Sequence, residues 1–205
     1  RKGIILDVGA NIGITAAPLG RYHPDSTIHA YEPISENFST LCRVIRFLKL
    51  RNIIPYNIAL GNSHGILQMI MPTINNSRMQ GLSKVYDPAS NDVGVTYQVP
   101  IERLDDRYAE KDVIVGIKMD VENYEYEVLK GARKLIERSK PPIYCELWDN
   151  ENRTLAIDFL STLGYEVYVY DVLEDSIKPK SLSKNRNESN FFFLAKGELT
   201  NSDQQ

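Results

Sequence analysis

Apolar positions along the chain fall into two rhythms. Short runs of β-branched and other apolar residues (GIILDV, TIHAYEP, IIPYNIAL, DVIVGIKMDV, PIYCEL) are bounded by turn residues and predict strands. Between them, apolar residues recur at helical spacing. One such stretch predicts a helix from Ile14 to Tyr22. A second, from Ser35 to Leu50, places Phe38, Leu41, Cys42, Ile45 and Leu48 on one face. A third, from Tyr124 to Arg138, turns Val128, Ala132, Leu135 and Ile136 inward and stops before Pro141 and Pro142. NRTLAIDFLSTLGY predicts a fourth, with Gly164 as its C-terminal cap. EVYVYDV and NFFFLAK then predict two closing strands around a polar loop, and residues 199–205 are expected to fray.

Strands alternating with helices predict an α/β fold with a largely parallel sheet. DVIVGIKMDV is apolar enough to be buried on both faces. Pro55 sits inside IIPYNIAL and removes a ladder donor, which assigns that strand to an edge. The extended runs ILQMIM and VTYQVPI predict an inserted β-hairpin over about residues 65–103. Its connection, residues 73–94, is rich in Asn, Ser and Asp and is expected to be a mobile flap, with Ser77, Arg78 and Gln80 as contact groups.

At 205 residues the chain supports one well-buried core, so residues 1–205 are expected to form a single domain. A net charge of −3 gives no electrostatic case for a nucleic-acid partner. Cys42 and Cys145 are too few for a disulfide framework and lie in apolar segments, which predicts buried free thiols in a reducing compartment. No apolar run reaches membrane-spanning length and no signal peptide is visible, so no membrane partner is expected and the default location is cytoplasmic.

The chemistry begins at ILDVGANIG. In an open parallel sheet, ligands bind beyond the carboxyl ends of the strands. Asp7, Gly9, Asn11 and Gly13 lie at that place after the first strand. Their spacing, D-x-G-x-x-x-G, differs from the dinucleotide fingerprint G-x-G-x-x-G, and no P-loop lysine follows. A loop that admits a ligand closely without the phosphate pattern fits S-adenosylmethionine, an adenosine joined to an amino acid. Glu32 ends the second strand in HAYEP, where a carboxylate can accept hydrogen bonds from both ribose hydroxyls.

DVGANIG, AYEP, NIALG, KMDVENYEYEVLKGA and YCELW together resemble the FkbM family of S-adenosylmethionine-dependent methyltransferases. The resemblance implies a Rossmann-like class I methyltransferase fold: a seven-stranded sheet in the order 3-2-1-4-5-7-6, with strand 7 antiparallel. It implies O-methylation of a hydroxyl on a small molecule such as a sugar or polyketide. With the matched NIALG stretch, the expected cofactor-binding set is Asp7, Gly9, Asn11, Gly13, Glu32, Asn57 and Ala59. Asn123 stands where the family usually has Gly, and Asn tolerates the left-handed backbone such a turn needs.

Methyl transfer to a hydroxyl needs alignment and a proton acceptor. Asp120 ends the fourth strand, Glu122 follows it and Glu146 ends the fifth, which makes these three the candidate catalytic carboxylates. Two of them have a plainer reading: Glu122 as a helix cap, Glu146 as a partner of Lys118. No ligand spacing calls for a metal. His23, His29 and His64 read as surface or packing residues, with His64 nearest the inserted hairpin. Three other functions stay open: a nucleotide-dependent oxidoreductase, a module that binds the cofactor without transferring methyl groups, and a nucleic-acid methyltransferase. Against the last, Asp120-Val121-Glu122-Asn123 replaces the Asn/Asp-Pro-Pro-aromatic motif of amino-methylating enzymes.

Overall fold

The computed structural model describes residues 2–75, 77–182 and 188–197, so the expected fraying of residues 199–205 lies outside it. Among the described residues, thirteen strands and six α-helices follow in chain order. The first half holds β1 (Ile4–Val8), α1 (Ala16–Tyr22), β2 (Thr27–Tyr31), α2 (Ser35–Phe47) and β3 (Ile53–Tyr56). Next come β4 (Ala59–Leu60), β5 (Gly65–Ile74), β6 (Ser77–Arg78), β7 (Lys84–Val85), β8 (Gly94–Glu102) and α3 (Leu104–Arg107). The second half holds β9 (Ile114–Met119), α4 (Glu125–Gly131), α5 (Arg133–Ser139) and β10 (Ile143–Glu146). The chain closes with α6 (Glu151–Thr162), β11 (Tyr165–Asp171), β12 (Ser176–Pro179) and β13 (Asn190–Ala195).

The main sheet runs β12-β11-β13-β10-β9-β1-β2-β3. Its parallel centre, with β13 antiparallel to both neighbours, is the expected seven-strand order. The sheet differs by an eighth strand: β12, inside the loop read as polar, pairs with β11 beyond the expected edge. At the other edge Pro55 of β3 lies opposite Ala30 of β2, and among the described residues β3 pairs only with β2. Alternation on β1, β2 and β3 sorts their side chains onto two faces. Ile5, Ile28, Ala30 and Ile53 pack beneath α1 and α2, while Leu6, Val8 and Tyr31 join the larger core beneath α4 and α5.

Three elements depart from expectation. IIPYNIAL is not one strand, because the chain leaves the main sheet after Tyr56 and β4 joins a second sheet alongside β8. Residues 73–94 are not a structureless connection. β6 and β7 both fold back on β5, with a 3-10 turn at Gln80–Leu82 between them. The helix expected from Tyr124 to Arg138 is two helices, broken at Ala132 (φ −113°, ψ 9°). The N–H groups of Lys134 and Leu135 in the first turn of α5 donate to the Asp105 carboxylate of α3, at 3.2 and 2.9 Å. That tertiary cap compensates for the break. Both cysteines are free thiols; Cys145 is buried, whereas Cys42 is only half-buried. Among the described residues no helix is long and apolar enough to cross a membrane.

Candidate active site

The loop after β1 is shaped by its own chain. The N–H groups of Gly9 and Ala10 both donate to Tyr31 O, at 3.1 and 2.9 Å, which binds the loop to the end of β2. Gly9 has φ +78°, and a Cβ there would lie 1.8 Å from Asp120 O. Gly13 has φ +97°, and its Cβ would meet Leu41 Cδ1 of α2 at 2.9 Å. Both glycines are therefore demanded by left-handed backbone and by neighbouring chain. Gly9 also lines a cavity.

That cavity lies over the carboxyl ends of β1, β2 and β9. Gly9, Asn11, Glu32, Asp120 and Glu122 all line it. Glu32 is 4% exposed. Its Oε2 accepts the Asn11 N–H and its Oε1 the Ile34 N–H, each at 2.9 Å, with Asn37 Nδ2 at 3.4 Å from Oε1. Burial pushes its carboxyl up to about 7 against those hydrogen bonds and the Lys118 charge. The side-chain carbonyls of Asn11 and Asn37 are buried there without a partner. Buried acceptors of this kind carry a desolvation cost that a bound donor would relieve.

The other expected residues sit around the cavity rather than on it. Asp7 is fully buried beneath the loop, 3.3 Å from Lys118 Nζ but not in hydrogen-bond alignment with it. Burial raises its pKa, and Lys118 opposes the rise. Asn57 holds the end of β2, its Nδ2 donating to Glu32 O and Pro33 O at 2.8 and 2.9 Å. Ala59 lines an adjoining apolar cleft with Leu67, Met69 and Tyr124, and that cleft shares Gly9 and Val121 with the first cavity.

The carboxylate side is built differently. Glu122 and Asn123 follow β9 with φ 53° and 74°, two consecutive left-handed non-glycine residues. Glu125 holds this turn: its Oε1 accepts the N–H groups of Val121 and Asn123, and its Oε2 accepts Asn152 Nδ2 at 2.7 Å. Asn123 Oδ1 accepts Asn150 Nδ2 at 2.8 Å, so this side chain anchors the turn. The helix cap expected of Glu122 is not made by it: the first-turn Tyr126 N–H of α4 donates instead to Asn152 Oδ1 at 3.2 Å. Glu122 Oε2 is buried with no hydrogen-bond partner. Burial, then the charges of Asp120, Glu146 and Glu125, push the Glu122 carboxyl up to about 7.

Lys118 joins the two sides. Its Nζ donates to Gly9 O at 2.9 Å and lies 3.7 Å from Asp120 Oδ2 as well as 3.3 Å from Asp7. The expected pairing of Lys118 with Glu146 is not formed among the described residues. Glu146 stands outside the cavity lining, its pKa raised by burial and by Asp120. Sequence reasoning passed over Asn37 and Ser83, which line the cavity beside the expected flap residue Gln80 because the ribbon folds back over α2. Asn37 Nδ2 reaches Gln80 O at 3.4 Å, and Glu36 Oε1 receives Tyr97 OH at 2.9 Å and lies 3.5 Å from Arg78 Nη1. Of the three contact groups expected on the flap, Gln80 reaches the cavity, Arg78 ties the ribbon to α2, and Ser77 is exposed in β6. His64 binds Asp106 at 2.9 Å, away from the cavity.

Residues 7–169 match the family model described as the methyltransferase FkbM domain. The chain belongs to the FkbM methyltransferase family. Methyltransferase 1 of Beauveria bassiana (strain ARSEF 2860) is 30% identical over 144 residues, covering 62% of this chain and 57% of that protein. The crystal structure of an FkbM methyltransferase from Methylobacillus flagellatus KT superposes with a TM-score of 0.63 at 20% identity, covering 94% of this chain and 44% of that one. The FkbM chain described here thus spans about half the length of each of these relatives. SMU.1697c of Streptococcus mutans, a putative methyltransferase solved in complex with SAH, shares the fold with a TM-score of 0.54 at 10% identity. Coverage there is 94% of this chain and 86% of that one.

Proposed function

We propose that the chain is an S-adenosylmethionine-dependent methyltransferase acting on a hydroxyl oxygen of a small molecule such as a sugar or a polyketide. One observation carries this reading. The Gly9–Asn11 loop, Glu32 and the Asp120–Glu122 turn open onto a single cavity, so a binding end and a proton-accepting end share one space. The residues present fit the cofactor. Glu32 keeps lone pairs for a ribose diol beyond its backbone contacts, and Asn11 and Asn37 offer unpartnered carbonyls. S-adenosylmethionine, when bound, supplies a methyl group made electrophilic by its sulfonium.

The chain's own residues would do the rest. Lys118 fixes the loop to β9 through Gly9 O and sets the separation between binding end and carboxylates. Glu122 is the proposed general base: its unpartnered oxygen accepts the acceptor's hydroxyl proton as that oxygen attacks. A base poised near neutrality meets the requirement for efficient proton transfer. Asp120, paired at 3.7 Å with Lys118, holds Glu122 in the range where it can titrate. Glu146 reinforces that field from β10. A screen of hydroxylated acceptors with labelled cofactor tests the reading. Label appearing on an oxygen is the expected result, and transfer only to nitrogen, carbon or RNA would contradict it. Cofactor binding with no transfer to any acceptor class would favour the binding-module alternative.

A further inference from the structure

A second cleft, of about 140 Å³, opens on the sheet face beneath α3, lined by Ile4, His29, Tyr31, Tyr56, Arg107 and Asp112, with Tyr108 at its wall. It exists for a topological reason. Parallel strands need a long crossover, usually a helix that covers the sheet. Between β3 and β9 that crossover is instead the second sheet plus the four-residue α3, so the outer strands keep one face thinly covered.

The walls of this cleft are ordered and aromatic. Tyr31 and Tyr56 stack at 5.0 Å and 16°, and the Arg107 guanidinium lies over Tyr56 at 4.7 Å. Tyr31 OH and His29 Nδ1 both meet Tyr108 OH, at 2.5 and 2.6 Å, and among the described residues the far ring nitrogen of His29 has no hydrogen-bond partner. Arg107 Nε is buried and unpartnered, while Nη1 donates to Glu102 at 2.5 Å. Asp112 uses one oxygen to accept the Ala109 N–H. Burial and the Arg107 charge hold His29 below its ordinary pKa, so it is neutral near pH 7.

We infer that this cleft binds a neutral planar ring of six-membered size that carries both a hydrogen-bond donor and an acceptor. A void of about 150 Å³ takes one benzene, which sets the size. Tyr56 and Arg107 supply faces for stacking, the second ring nitrogen of His29 a donor or an acceptor, and Asp112 an acceptor. Glu102 already neutralises Arg107 and Asp112 adds a further carboxylate, which disfavours an anion. A phenol and a pyrimidine base share this chemistry. The inference stands apart from the methyltransferase reading, because the cleft shares only Tyr31 with the space around the glycine loop.

The test is titration of the full chain with phenol, cytosine and benzoate, each with and without saturating S-adenosylhomocysteine. Binding of phenol or cytosine, undisturbed by S-adenosylhomocysteine, is expected, and the tighter of the two assigns the ring class. Magnetisation transfer from the probe to Tyr56 and Ile4 should locate it on the unmodified protein. Tyr56→Ala should weaken binding about fivefold, within the range of a lost aromatic pair, and Tyr56→Phe should restore it. Tighter binding of benzoate, displacement by S-adenosylhomocysteine, or no binding up to the solubility limit would each overturn the inference.

Discussion

Glu32 and Glu122 both have carboxyl groups pushed up to about 7, and for both burial is the largest cause. Their surroundings are opposite. Around Glu32 everything else pulls the pKa back down: two backbone N–H groups, Asn37 and the Lys118 charge. Around Glu122 the next causes are three neighbouring carboxylates, and one oxygen has no partner at all. Glu32 is therefore an anchored acceptor, suited to holding a ligand. Glu122 is a frustrated one, suited to taking a proton. Equal titration ranges can conceal different work, and the hydrogen-bond partners reveal which is which.

The largest effect should come from the hinge between the two regions. Gly9→Ala would drive a Cβ into Asp120 O at 1.8 Å, a backbone contact that cannot step aside, in a left-handed residue. A loss of more than about 4 kcal/mol is expected, within the exceptional class of single substitutions. Urea denaturation of the variant measures it; near-wild-type stability would mean that β1 and β9 can part.

Glu122→Gln sharpens the comparison on its chemical side. It removes the proton acceptor while keeping size, so turnover on an identified acceptor should fall about 10²- to 10⁴-fold. S-adenosylhomocysteine affinity should stay within a few-fold. The wild-type rate should climb as pH rises through about 7, where Glu122 loses its proton, and the variant should lack that limb. A preserved limb would move the base to Asp120 or Glu146.

Glu32 should show itself in stability. Its folded pKa, about 7, lies above the ordinary 4.5, so the folded state keeps a proton that the unfolded chain releases. The group's contribution is thus most favourable below about 4.5 and is lost as pH rises through about 7, by roughly 3 kcal/mol at most. Glu32→Gln should flatten that part of the stability-against-pH curve. An unchanged slope would show that Glu32 is ionised in the folded protein across the range.

The sheet was legible because its signals are local. Pro55 marks an edge wherever it falls in a strand, and apolar runs such as IVGIKM need no partner to be recognised. The second sheet was only half legible, because β4, β6 and β7 are two residues long and carry no period. The break at Ala132 depends on Asp105, and Asn37 reaches the cavity through Gln80; neither link has a local signal. DVGANIG pointed to a loop that lines the cavity, but for an incomplete reason, since its glycines answer to Asp120 O and Leu41 before any ligand. Lys118 was noticed only as a partner for Glu146, because an isolated lysine in an apolar strand does not announce the two carboxylates beside it.

The central claim is that the Glu32 end holds an adenosine-bearing methyl donor, and calorimetric titration with S-adenosylhomocysteine addresses it most directly. Binding by the wild-type chain is expected, with Glu32→Ala weakening it by about 1.5–3 kcal/mol, the scale of hydrogen bonds to a charged group. Binding of NAD without binding of S-adenosylhomocysteine or S-adenosylmethionine would contradict the account.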